Sequence, residues 1–285
     1  MFNSKAETLN FLDKKITLSK VPKSYFFSAL RWKKNKKVII KEIQKNFKGQ
    51  IVIRSSAADE DGSFSSNAGK YISFLNINSK DTLNIKKKID LVIKSYKRIS
   101  LRKSQILIQK MISSINCSGV VFNRDLNTAA NYYVINYDDV TGKTDTVTAG
   151  ESEYSNRTLY VLRSAIKNVR SERFKALLSA VEELEHILDY DCLDIEFAMD
   201  QNLKPYLLQV RPITTSSTWD PDVEMKLNKS LEDIHALVSK RLKPMDGVFG
   251  KTTVLGQMPD WNPVEMIGRS PKQLSYSIYE KLITK

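Results

Sequence analysis

Four residues near position 200 have the types and spacing to do chemistry: Asp194 and Glu196 in DIEFAMD (194–200), and Gln209 and Arg211 in LQVRPIT (208–214). Side chains alternate between the two faces of a strand, so Asp194, Glu196 and Ala198 point one way and Ile195, Phe197 and Met199 the other. On the second stretch Leu207, Gln209 and Arg211 share a face, and Leu208 and Val210 take the opposite one. The polar residues 200–204 between the stretches read as a turn, so the two pair as a hairpin. Two carboxylates, a carboxamide and a guanidinium then converge on one surface, backed by an apolar one. Magnesium takes hard oxygen ligands, commonly one or two protein groups plus phosphates and water, and Glu196 with the Gln209 carbonyl supplies that set. Arg211 beside them can fork onto phosphate oxygens and neutralise charge during transfer. Alternation leaves a second reading open, in which this is the exposed face of a half-buried hairpin and Asp194 or Glu196 merely pairs with Arg211.

Two further basic residues belong to the same question. The apolar, β-branched run at 51–53 stops at Arg54-Ser55-Ser56, and residues 57–69 are small, acidic and glycine-containing. A buried strand thus delivers Arg54 and two hydroxyls to a polar loop, where Arg54 meets either phosphate or the nearby Asp59 and Glu60. Ser4 and Glu7 form the S-x-x-E capping pattern, which starts a helix over residues 5–14 and puts Lys5 in its opening turn. By itself that position is equally that of a solvated lysine.

The elements that must hold these residues follow from periodicity. Pro22 breaks the chain before an aromatic segment at 25–30, a basic helix runs toward Phe47, and Gly49 ends it. Residues 71–77 read as a strand, 81–98 as a helix, and 105–111, 118–122 and 132–137 as strands. A helix covers 171–188, and the hairpin follows at 192–210. Beyond Thr214 the character changes: 215–218 is linker-like, 221–241 looks helical, and 247–263 is rich in Gly, Pro and Trp.

At 285 residues and 41% hydrophobic the chain can bury a substantial core, which argues against disorder. No apolar run approaches membrane-spanning length and the first 15 residues carry no secretion signal, so the expectation is a cytoplasmic protein with no membrane partner. Cys117 and Cys192 lie far apart without ligand spacing and read as small core residues. The net charge of +13 raises the alternative of a polyanion-binding module. The basic runs at 31–48 and 86–103 are interleaved with apolar residues at helical spacing, so solvated helix faces account for them and nucleic acid is not the expected partner.

Taken together these residues resemble the nucleotide-binding domain shared by phosphoenolpyruvate synthase, pyruvate phosphate dikinase and rifampin phosphotransferase. IVIRSSAADED (51–61) is similar to that family's V-x-V-R-S-S-A-x-x-E-D, and NAGKYISFLN (67–76) to its F-A-G-x-x-x-T-F-L-N. QKMI (109–112) and SGVVF (118–122) resemble V-Q-x-M-V and S-G-V-x-F, while the two hairpin segments resemble D-I-E-W-A-x-D and L-Q-x-R-P-I-T. The resemblance implies an α+β, two-lobed ATP-grasp fold that binds ATP and Mg2+. It divides the chain into an N-terminal lobe at 1–100, a C-terminal lobe at 101–214 carrying the hairpin, and a helical appendage at 215–285. It also implies roles: Lys5, Arg54 and Ser73 on phosphates, Gln109, Met111 and Ile112 at the hinge that holds adenine, Asp194 lining the nucleotide site, Glu196 and Gln209 on magnesium, and Arg211, with Arg54, in catalysis.

Two departures qualify the resemblance. Where the family has a G-L-G-E segment this chain has DDVTGKTDTVT (138–148), and neither His186 nor His235 lies in the family's T-x-H loop. The resemblance therefore implies that the phosphate-accepting histidine lies on a separate swivelling domain and the final acceptor on another, so that this chain alone is the nucleotide-binding part of a dikinase-type kinase. MPDWNPVEMIG (258–268) with SIYEKLIT (277–284) resembles a segment of phosphoenolpyruvate-synthase-like enzymes of surface-polysaccharide gene clusters, which implies a small-molecule acceptor such as L-glutamine, with pyruvate as the alternative.

Overall fold

The computed structural model describes residues 4–56, 72–96, 104–142, 157–213, 221–244, 246–247, 249–252, 263–268 and 270–284. The loop at 57–71, with Asp59 and Glu60, most of the altered segment at 138–148, the 215–218 linker and residues 258–262 of the tail lie outside the described residues. Contacts divide the chain into two units, Met1–Asp220 and Pro221–Lys285.

The first unit is α+β, built on two antiparallel sheets. In the first sheet the strand order is β1 (Ser24–Ser28), β4 (Gln105–Lys110), β2 (Gln50–Ser56), β3 (Ser73–Asn78). One face is covered by α2 (Ala29–Asn46) and α3 (Thr82–Ser95). Trp32, Ile39 and Ile43 of α2 and Ile85, Ile89 and Val92 of α3 pack there against Ile51, Ile53, Ile106 and Ile108. Both helices start on polar caps, Ser28 and Asp81, whose side chains accept from Arg31 N and Asn84 N. The opposite face of the sheet carries Val52, Arg54, Ser73 and Gln109, by the same alternation that sends the isoleucines to the helices.

The second sheet runs β7 (Arg157–Leu162), β6 (Tyr132–Asp138), β5 (Ile115–Phe122), β8 (Leu193–Asp200), β9 (Pro205–Pro212). Helix α4 (Glu172–Leu188) lays Leu177, Leu178, Val181 and Leu184 on Val121, Ile135, Ile195 and Phe197. Strand β7 has no counterpart in the sequence reading. It is an edge strand with exposed Arg157, Thr158 and Tyr160, so its alternation shows only through Leu159 and Val161. Gly119 of β5 is dictated by close approach, since a Cβ there would lie 2.0 Å from the Asn136 carbonyl oxygen on β6.

The chain passes from one sheet to the other after β4, beyond the division drawn at residue 100, because an apolar strand does not declare which sheet it joins. Helix α1 (Lys5–Leu12) also bridges the sheets. Its Leu9 and Leu12 enter the core of the second sheet, while Ala6 N donates to Ser56 Oγ at 2.9 Å and Ser4 Oγ to Gln105 Oε1 at 2.9 Å in the first. The Ser4 cap is formed, accepting from Glu7 N, but Glu7 reaches Gln105 Nε2 (2.7 Å).

The second unit contains α5 (Pro221–Arg241), α6 (Pro263–Ile267) and α7 (Gln273–Tyr279). No helix among the described residues is long and apolar enough to cross a membrane.

Candidate nucleotide-binding site

Strand β2 ends in the order that the sequence demands, with Ile53 in the helix-covered core and Arg54 on the other face. Ser73 of β3 lies directly opposite Arg54, and Gln109 of β4 directly opposite Val52. These positions, with Met111 and Ile112 just past β4, line one cavity of about 120 Å³, walled by Val52, Leu75 and Leu208. A wider recess of about 760 Å³ shares Ser73, Leu75, Met111 and Ile112 with it and opens past Lys48 and Lys110. The inner cavity alone is below the ~300–1,000 Å³ usual for a small-molecule site, and with the recess the space suffices.

Of the β8–β9 hairpin Leu208 lines this cavity, and Arg54, which also lines it, reaches the polar face of the hairpin. Asp194 pairs with Arg211 and Glu196 with Gln209 as direct cross-strand neighbours, so all four side chains share a face. Arg211 Nε and Nη2 both donate to Asp194 Oδ2, at 2.8 and 2.7 Å. Glu196 accepts instead from the facing sheet, where Arg54 Nη2 stands 2.6 Å from its Oε2 and Arg54 Nη1 donates to the Leu208 carbonyl at 3.2 Å. Asp59 and Glu60, the alternative partners of Arg54, lie outside the described residues. Lys5 is 4% exposed, so the reading of a solvated helix-start lysine does not hold.

The electrostatics separate the two carboxyls. Burial raises the Asp194 carboxyl above its usual range, more than Arg211 and Lys5 pull it down, and the Glu196 charge adds to the rise. Burial also opposes ionisation of Glu196, but the Arg54 guanidinium first, then Lys5 and Arg211, hold its carboxyl below the usual range. Lys5 therefore acts on both acids from α1. The site gathers three cations around two anions, a balance suited to a polyphosphate.

One expectation is corrected. A β-bulge between Glu196 and Phe197 shifts the register, so that Phe197 faces Leu207 and Leu208 becomes the extra residue of β9. Leu207 does not share the Gln209 face but lies in the core with Phe197 and Val210, and Leu208 does not join that core but lines the cavity beside Arg54. Strict period two predicts the reverse, and one inserted residue inverts the faces beyond it. Reading the sequence also missed Val52 and Leu75, each two residues from an assigned ligand position, where alternation could have found them. At the hinge, Met111 N donates to the Gln50 carbonyl at 3.0 Å and is engaged by the protein itself. Gln109 Nε2 lies 3.5 Å from Ser24 Oγ.

The residues fit a magnesium ion in kind. Glu196 and Gln209 are adjacent hard-oxygen donors, and among the described residues no cluster of three His, Cys, Asp or Glu forms a self-sufficient site. His186 and His235 are both exposed on helices. Cys117 is buried, which pushes its thiol up to about 11, and both cysteines are unpaired.

Residues 31–151 match the family described as pyruvate phosphate dikinase, AMP/ATP-binding domain. Over those residues the chain is similar to an ATP-binding domain of that type. The match takes in Arg54, Ser73, Gln109, Met111 and Ile112, the first-sheet half of the cavity. In structure the chain is similar to D-alanine-D-alanine ligase from Helicobacter pylori (11% identity, covering 74% of this chain and 51% of that chain, TM-score 0.41). It is similar also to VanG D-Ala:D-Ser ligase from Enterococcus faecalis (13%, 75% and 53%, TM-score 0.40). A third is N5-carboxyaminoimidazole synthetase from Staphylococcus aureus in complex with ADP (12%, 75% and 44%, TM-score 0.40). The chain spans about half the length of these solved proteins. No curated protein matches it in sequence.

Proposed function

We propose that this chain binds Mg-ATP between its two sheets as the nucleotide-binding part of a dikinase-type phosphotransferase. The observation that carries the reading is the link that Arg54 makes between the cavity and the acidic hairpin. Arg54, Ser73, Gln109, Met111 and Ile112 line the cavity, and Arg54 reaches Glu196 of the acidic hairpin at 2.6 Å. In this reading adenine lies against Met111, Ile112 and Leu208, and the phosphates lie toward Lys5, Arg54, Ser73 and Arg211. Glu196 and the Gln209 carbonyl hold magnesium, which when bound offsets phosphate charge. Asp194 holds Arg211 through Nε and Nη2, which orients its guanidinium beside the phosphates.

The group transfer belongs to a histidine on a separate swivelling domain, whose ring nitrogen attacks the β-phosphorus as AMP leaves; water then releases the terminal phosphate, and the phosphate left on the histidine passes to the acceptor. The acceptor we favour is L-glutamine, which makes the full enzyme an L-glutamine kinase of capsule biosynthesis acting in the cytoplasm. The sum is ATP, L-glutamine and water to AMP, phosphate and L-glutamine phosphate. What supports the acceptor is the tail resemblance at 258–268 and 277–284.

Calorimetric titration of the folded chain with ATP, with magnesium and with chelator, tests the nucleotide reading. Binding strengthened by magnesium in wild type, with that gain lost in Glu196→Ala and Gln209→Ala, is the expected result. Folded protein that takes up no ATP would end it. For the acceptor, AMP formation by protein joined to its histidine domain should rise with L-glutamine, and a rise with pyruvate alone would replace it.

A further inference from the structure

Helix α2 carries seven Lys or Arg residues and one acid, and α3 four Lys and one acid. Both acids are consumed within the fold. Glu42 takes Arg31 (3.0 Å) and Tyr25, while Asp90 takes Lys36 (2.8 Å) and Trp32 (2.7 Å), which also fastens α2 beside α3. Lys33, Lys34, Lys37, Lys41 and Lys45 on α2, and Lys86, Lys87 and Lys94 on α3, are exposed. This surface lies on the far side of the first sheet from the cavity, because the same strands send isoleucines to the helices and Arg54 and Gln109 to the cleft. It cannot hold the nucleotide.

The pattern is costly to the helix itself. Lys37, Lys41 and Lys45 stand at successive i,i+4 positions, where like charges destabilise a helix and a glutamate would stabilise it. Exposed apolar residues are set among these lysines: Val38 (50% exposed) lies between Lys34 and Lys41, and Leu83 (80% exposed) lies one turn before Lys86 and Lys87. The exposed residues of the two helices include no unpaired arginine and no aromatic side chain, the groups that fork onto or stack with nucleic acid. Lysines with interspersed aliphatic side chains on a two-helix face suit a planar anionic interface, where lysines meet headgroups and aliphatic side chains enter the acyl boundary.

We propose that the α2–α3 face is a peripheral docking surface for an anionic lipid bilayer. The absence of a spanning helix concerns insertion across a membrane, and this is contact with its surface. Sedimentation of the full chain with phosphatidylglycerol and with phosphatidylcholine vesicles tests it directly on wild-type protein. The expected result is binding to phosphatidylglycerol only, weakening with salt, and reduced on the order of 100-fold in Lys37→Glu/Lys41→Glu/Lys87→Glu. Val38→Ser/Leu83→Ser should weaken it several-fold without any change of charge. Mg-ATP affinity of the variants, set on the other face, reports that they are folded. Equal binding to the two lipids overturns the proposal. So does duplex DNA that displaces the vesicles while the Val38→Ser/Leu83→Ser variant binds as wild type does, an outcome that would assign the face to nucleic acid.

Discussion

Arg54 donates to Glu196 at 2.6 Å, tying strand β2 of one sheet to strand β8 of the other. Both side chains are mostly shielded from water, at 15% and 18% exposure, so the pair gains more from proximity than a surface pair would, and leaving either partner alone there is unfavourable. In the proposed function each also meets a ligand, so nucleotide binding would exchange this contact for two others. A double-mutant cycle with Arg54→Ala and Glu196→Ala on the ligand-free protein should give a coupling of about 1–3 kcal/mol by urea denaturation. Additive effects would mean that the pair does not join the sheets energetically.

The bulge gives adjacent leucines opposite duties. Leu207→Ala removes a core side chain and should cost about 2–4 kcal/mol of stability with little change in nucleotide affinity per folded molecule. Leu208→Ala should do the opposite, lowering ATP affinity several-fold with a smaller loss of stability. Calorimetry and denaturation on both variants check the pair, and interchanged effects would return β9 to strict alternation.

Ile195 is fully buried on the face opposite Glu196. Ile195→Asp places a carboxylate in that core and should abolish folding, or lower stability by more than about 4 kcal/mol. Thermal unfolding followed by circular dichroism decides it, and a wild-type midpoint would mean the two faces of the hairpin are reversed.

Gly119→Ala should cost about 2–4 kcal/mol, because the added methyl meets backbone of β6 rather than a movable side chain. Urea midpoints measure this. An unchanged midpoint would show that β5 and β6 are spaced more widely than described.

At Asp90 burial opposes ionisation, but hydrogen bonds from Lys36 and Trp32 outweigh it and hold the carboxyl below its usual range. A depressed folded value means stabilisation that is complete above the unfolded carboxylate range and is lost as pH falls through the folded value. The stability gap between wild type and Asp90→Asn should therefore be constant near neutrality and narrow from about pH 5 downward. A gap that widens in acid would reverse the sign.

The sequence by itself determined the local matters. Period two placed Glu196 and Gln209 on one face, the break at Arg54 marked where a buried strand meets polar surroundings, and the Ser4 cap set the first helix, because each depends on neighbours a few residues apart. The tertiary structure alone decided which distant pieces meet. It placed β4 in the first sheet, gave Glu196 the partner Arg54 instead of Arg211, and buried Lys5 within electrostatic reach of two acids. Such choices depend on packing between segments far apart in the chain, which no local pattern encodes. The bulge at Leu208 lies between these cases. One unpaired residue leaves composition and periodicity almost untouched, yet it reverses which leucine enters the core and which lines the cavity.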